Sequence, residues 1–206
     1  MKMSVYSLVL SENVVAAVDR LAYERHTNRS NLINQILAEY VSYETPEKKM
    51  QDVFDRMQSL LGSAFQPMGS TSPTMLTLRS ALSYKYNPTV RYQVELYRTP
   101  QVAVGELKVS MRTQNTTLTL LVMQFFKLWA RIERSYHPDS DAQITDRRFV
   151  KQFVTDTFDS ESIADGISAY MDAFDQALKT YFCYLDRPEM AEAYVEKIYA
   201  SAHLLF

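Results

Sequence analysis

Five basic residues stand at strand spacing in the middle of the chain. Arg79 and Lys85 lie in TLRSALSYKY, Arg91 in TVRYQVELYR, and Lys108 and Arg112 in GELKVSMRTQ. Apolar and polar residues alternate in each segment, the period of a half-buried strand. An inner face can be drawn through Leu78, Leu82, Tyr84, Tyr86, Val90, Tyr92, Val94, Leu96, Leu107, Val109 and Met111. The outer face then collects Arg79, Lys85, Arg91, Gln93, Glu95, Lys108, Ser110 and Arg112: five cations and one acid. Such a face is either plain solvated surface or an anion-binding one. Nucleic acid, a small phosphorylated ligand, a protein partner and the chain's own acidic helices are all candidate occupants.

Little else is arranged for chemistry. Neither a phosphate-binding glycine loop nor a nucleophile elbow is present. His26, His137 and His203 are far apart, and the single cysteine, Cys183, gives no zinc spacing. Cys183 sits in TYFCYLD, an apolar helical context that predicts a buried, reduced packing residue. DSDAQITD at Asp139–Asp146 imitates a calcium loop but has Ile144 and Val150 where the glycine and the closing glutamate belong. Asp172 and Asp175 are expected on the solvated side of an amphipathic helix. No catalytic residue, metal or cofactor is implied, and a non-enzymatic protein is expected.

Charge is unevenly spread. Residues 1–45 carry net −1, residues 46–115 net +4, and residues 116–206 net −5. The apolar runs are too short to span a membrane, and MKMSVYSLVL is too short and broken for a secretory signal. A cytoplasmic protein that does not bind membranes is expected. Four glycines among 206 residues argue against folds built on glycine-rich loops.

The N-terminal residues raise a different problem. Tyr6, Leu8 and Leu10 alternate with Val5, Ser7 and Val9, which reads as one short strand. Ser11 is a candidate N-cap for a helix over 12–25 with a stripe of Val14, Val18, Leu21 and Ala22. After HTN, Asn28 is positioned to cap a second helix. Its stripe is Leu32, Ile33, Ile36, Leu37, Tyr40 and Val41, and Pro46 follows its end. A strand and two helices in 45 residues bury too little to fold alone, and a lone strand has two unpaired edges. Two copies that pair these strands and interlock these helices solve both problems. A homodimer is expected.

Residues 5–41 resemble the ribbon-helix-helix DNA-binding family of the MetJ, Arc and CopG type. LSENV at Leu10–Val14 matches the junction from strand to first helix, and NRSNLI at Asn28–Ile33 matches the start of the second helix. The resemblance implies that paired strands enter the major groove of duplex DNA. With Tyr6, Leu8 and Leu10 inward, Val5, Ser7 and Val9 face the bases, and Lys2 reaches a phosphate or a base. It also implies that the start of the second helix, with Asn28, Arg29 and Ser30, holds a phosphate. His26 stands where the family often has glycine.

Downstream, residues 45–65 predict a third helix and residues 66–73 a loop. Helices are expected over 116–136 and 144–158, from about Ser160 to Leu185, and from Pro188 onward. The expected fold is mainly α with minor β. A ribbon-helix-helix unit (1–45) and a connecting helix (46–65) precede an α+β effector or partner-binding domain (66–206), a three-stranded meander packed with about four helices. The expected function is a dimeric, sequence-specific DNA-binding transcriptional regulator with a C-terminal sensor or interaction domain. The alternatives are an interaction protein that uses the fold only to dimerise, a plasmid or conjugation accessory protein, and an antitoxin-like protein.

Overall fold

The computed structural model describes residues 7–41, 43, 45–69, 72–99, 102–145, 147–156 and 159–205. The chain divides into two compact units, Met1–Lys49 and Met50–Phe206.

The first unit holds helices α1 (Glu12–Glu24) and α2 (Arg29–Tyr40). Asn28 caps α2, its Oδ1 accepting from the Asn31 N–H at 2.9 Å. Ser11 occupies the corresponding position before α1 in extended conformation, but its side chain makes no capping bond, contrary to expectation. Glu12 places a carboxylate in that first turn, where the helix dipole favours it. α1 closes with a Schellman motif. The Thr27 N–H donates to the Ala22 carbonyl (2.9 Å) and the His26 N–H to that of Tyr23 (3.1 Å). His26 takes φ 51°, the left-handed position glycine usually fills. Ser7–Ser11 joins no ladder among the described residues. The described part of the expected strand is thus not formed as a strand in the single chain. Lys2, Val5 and Tyr6 lie outside the described residues.

The second unit is an antiparallel six-stranded sheet with helices on one face. Its strands are β1 (Gln66–Pro67), β2 (Met75–Ala81), β3 (Thr89–Leu96), β4 (Ala103–Met111), β5 (Gln143–Thr145) and β6 (Arg148–Val154), in the order β1-β2-β3-β4-β6-β5. The helices are α3 (Pro46–Leu61), α4 (Thr116–Tyr136), α5 (Ser160–Cys183) and α6 (Pro188–Ser201). The chain is therefore mixed α/β, with twice the three strands expected. The segment read as a helix over 144–158 forms the β5–β6 hairpin. Its pairs Phe149–Val150 and Phe153–Val154 imitate helical spacing. The buried Lys151 between them hides the true alternation of Phe149, Lys151 and Phe153. The expected loop at 66–73 starts with edge strand β1, where Pro67 is tolerated because an edge position leaves the missing donor uncosted.

The boundary between the units falls inside α3, so residues 46–65 are not a separate connector. From Met50 onward, α3 buries Met50, Val53, Phe54, Met57 and Leu61 in the core of the second unit. Arg56 ties it to α5, pairing with Asp165 (2.7 Å) and Glu161 (2.8 Å). The Arg56 guanidinium holds the Asp165 carboxyl below its usual range. α4 and α5 supply the aromatic centre: Phe174 lies 4.9 Å from Phe149 and 5.2 Å from both Phe125 and Trp129, ring to ring. At Gly105 in β4, any Cβ would collide with the Glu95 carbonyl on the neighbouring strand.

Two buried carboxylates cross this core, each satisfied. Glu133 accepts from Lys151 Nζ (2.7 Å), Tyr170 OH (2.6 Å) and Ser140 Oγ (2.7 Å). Trp129 Nε1 in turn donates to Tyr170 OH at 2.9 Å. Burial, and next the Glu133 charge, push the Tyr170 phenol well above its ordinary pKa. Asp175, expected on the solvated side, is buried instead. It accepts from Tyr92 OH (2.8 Å) and Ser80 Oγ (3.0 Å) and pairs with Lys179 (2.6 Å). The buried face of α5 is broad enough to take in Asp175, whereas Asp172 is exposed as expected.

Candidate nucleic-acid interface

In the first unit, the sequence-expected contact residues fall on two features. Ser7 and Val9 lie on the segment before α1, with Val9 fully open and Leu8 and Leu10 partly covered. Asn28, Arg29 and Ser30 gather at the start of α2, all exposed. Asn28 spends its side-chain oxygen on the cap. Arg29 is not free either: its Nε donates to Asp19 Oδ1 at 2.6 Å and its Nη2 to Oδ2 at 2.5 Å. This pairing, chiefly through the hydrogen bonds, lowers the Asp19 pKa and raises that of Arg29. The pair is solvent-exposed, so salt screens it and a phosphate competes for the same guanidinium.

The same unit leaves its apolar stripes uncovered. Val14 on α1 is exposed, as are Ile36, Leu37 and Tyr40 on α2 and Val41 just beyond it, Tyr40 by 87%. Among the unit's described apolar residues, full burial is reached by Ala22, Leu32 and Ala38 alone.

In the second unit, the five basic residues expected on one sheet face separate. Arg79 and Arg91 are directly opposite one another on β2 and β3, facing away from the buried Leu78, Ser80, Val90 and Tyr92. Lys108 shares that face but is taken by Glu95 and Glu106. Lys85 is not on the sheet. β2 stops at Ala81, and the chain turns through Tyr86 and Asn87, both at positive φ (67° and 43°). Tyr86, placed inward by its spacing, is therefore exposed. Arg112 lies one residue past the end of β4.

The ladder adds residues the sequence did not point to. Arg91 is opposite Ser110, and since Val109 is opposite Phe149, Arg148 falls beside Ser110. Gln66 is opposite Arg79, and Thr145 is opposite Arg148. One row thus crosses all six strands: Gln66, Arg79, Arg91, Ser110, Arg148 and Thr145. It contains three arginines and no acid. Two rows further along, Met75, Glu95, Glu106 and Gln152 form an acidic one. Arg148 was hidden by the helical reading of its segment, and Gln66 by the loop reading. The alternation Phe149, Lys151, Phe153 was the only signal for the former.

Other features carry less chemistry. Cys183 is exposed rather than buried, because it is the last residue of α5. It lines a shallow surface concavity of about 490 Å³ with Thr180, Tyr184, Asp186 and Arg187. Among the described residues no histidine, cysteine and carboxylate group is placed to hold a metal ion. No described helix is long and apolar enough to cross a membrane. Comparisons with protein-family models, with curated proteins and with solved structures gave no match.

Proposed function

We propose that this chain is a dimeric DNA-binding regulator whose first unit pairs with a second copy and docks on duplex DNA. Residues 50–206 form its effector or partner-binding unit. The observation that carries this reading is the uncovered apolar surface of the first unit. Leu8, Leu10, Val14, Ile36, Leu37, Tyr40 and Val41 are exposed in one chain. Exposed apolar groups in this number on one small unit suit an interface, and an element this small needs one to fold. A second copy supplies the matching strand and helices, which is the ribbon-helix-helix arrangement its residues resemble. The capped start of α2, with free backbone N–H groups and Arg29 beside it, suits a DNA phosphate.

A second reading is an interaction protein that keeps the fold for pairing alone. The Asp19–Arg29 pair and the apolar Val9 favour it, since both weaken the expected DNA face. A salt series of binding to the DNA upstream of the protein's own coding sequence separates the two. On the first reading, Arg29→Ala lowers the salt slope by about one for every duplex tested, and Ser7→Ala mainly relaxes sequence preference. Absence of duplex binding at low salt leaves only the pairing reading. A monomer at micromolar concentration overturns both.

A further inference from the structure

We propose that the arginine row of the second unit's open sheet face is a second nucleic-acid contact, one that takes the phosphate backbone of the DNA. The inference rests on the DNA-binding reading above and adds a site that reading does not require. DNA affinity comes largely from neutralised phosphates, and the first unit offers little of this, because Met1–Lys49 carries no net charge and Arg29 must exchange Asp19 for a phosphate.

The row is built for an extended anion. Its six residues, Gln66, Arg79, Arg91, Ser110, Arg148 and Thr145, are all hydrogen-bond donors. At about 4.8 Å per strand, six strands carry them over about 24 Å, a line rather than a pocket. Arg79 and Arg91 oppose each other directly with no carboxylate between them among the described residues; Arg79 Nη2 donates to Gln66 Oε1 (3.0 Å), a neutral acceptor that leaves the two like charges uncompensated. The Nε of Arg91 is closed off from solvent and has no acceptor among the described residues. The nearest acid on its own strand, Glu95, belongs to Lys108. Planar guanidinium groups suit phosphate oxygens in particular. An acidic protein partner fits less well, because protein interfaces set arginine anchors among aromatic ones and the row has no aromatic group.

The test uses the full-length chain and a random-sequence duplex, with binding followed by fluorescence anisotropy over a salt series. The variant Arg79→Gln/Arg91→Gln/Arg148→Gln is compared with a control of equal charge, Lys127→Gln/Arg187→Gln/Lys197→Gln, placed on exposed helical and turn positions. The row variant is expected to lower the salt slope by about two to three relative to the control. Thermal unfolding checks that it folds, and Arg91→Gln alone, with a loss of about one, serves if it does not. Equal slopes for row variant and control overturn the proposal. So does an effect confined to self-association in sedimentation, which assigns the face to a second copy. So does failure of the wild-type chain to bind the duplex. Asn28→Ala/Arg29→Ala is run in parallel. If it binds like wild type while the row variant does not, the docking role of the first unit fails and the row stands.

Discussion

The two units put apolar side chains to opposite uses. In the second, Phe54, Tyr92, Phe125, Phe126, Trp129, Phe149 and Phe174 are wholly enclosed, and even its charges, Glu133 and Lys151, are paired inside. In the first, the stripes are only partly covered: Ala22 and Leu32 are buried, but Leu37 and Tyr40 are open where the spacing promises a core. Helical periodicity shows only that a face must be covered. Length decides by what. A unit of about 155 residues can cover its own faces, and one of about 50 cannot. The contrast is one of enclosure: the second unit covers its large apolar side chains, and the first leaves several of its own open.

The sharpest way to break this contrast is to attack the buried ion pair. Lys151→Met leaves the Glu133 carboxylate buried without its cation and should cost about 3–5 kcal/mol in urea unfolding of the second unit. Glu133→Leu/Lys151→Met should recover most of that loss. If Lys151→Met unfolds like wild type, the pair is solvated and the core is looser than described. The first unit should answer differently. Leu37→Glu puts a charge on the uncovered stripe and should weaken pairing by about 2 kcal/mol or more, read as a shift from dimer to monomer in sedimentation. Unchanged association would mean that α2 is not the pairing face. The smallest effect is local to the first unit. His26→Gly relieves a left-handed residue in the α1 closure and should stabilise by about 0.5–1 kcal/mol, despite the entropy glycine adds to the unfolded chain. A loss instead would show that the His26 side chain does something the turn alone does not explain.

Legibility followed the same division. α4 starts where its apolar run begins, at Thr116, α6 starts at Pro188 as its proline predicts, and the Asn28 cap is made as read; the Asn115 cap of α4 was not foreseen. Those signals are local, and local geometry satisfies them. Three readings failed because a distant partner outweighed the local pattern. Asp175 is held inside by Tyr92 and Ser80, from two strands more than 80 residues away. Residues 148–154 became a strand because β4 offered an edge and Glu133 accepted Lys151. Lys108, counted among the free cations, was claimed by acids on its own and the neighbouring strand. The candidate site was half legible. Arg79 and Arg91 were placed on one face by alternation alone, whereas Arg148 joined them only through the ladder.

By itself, then, the sequence determined where most helices begin and which stripes of the second unit are buried. These follow from short-range backbone chemistry and from the ratio of surface to volume. Tertiary structure decided which strands are neighbours, and with that which charges meet. Cross-strand register joins residues up to 51 positions apart at distances of a few ångströms, so it kept two of the five expected cations, Arg79 and Arg91, in one row, added Arg148 to them and sent the other three elsewhere.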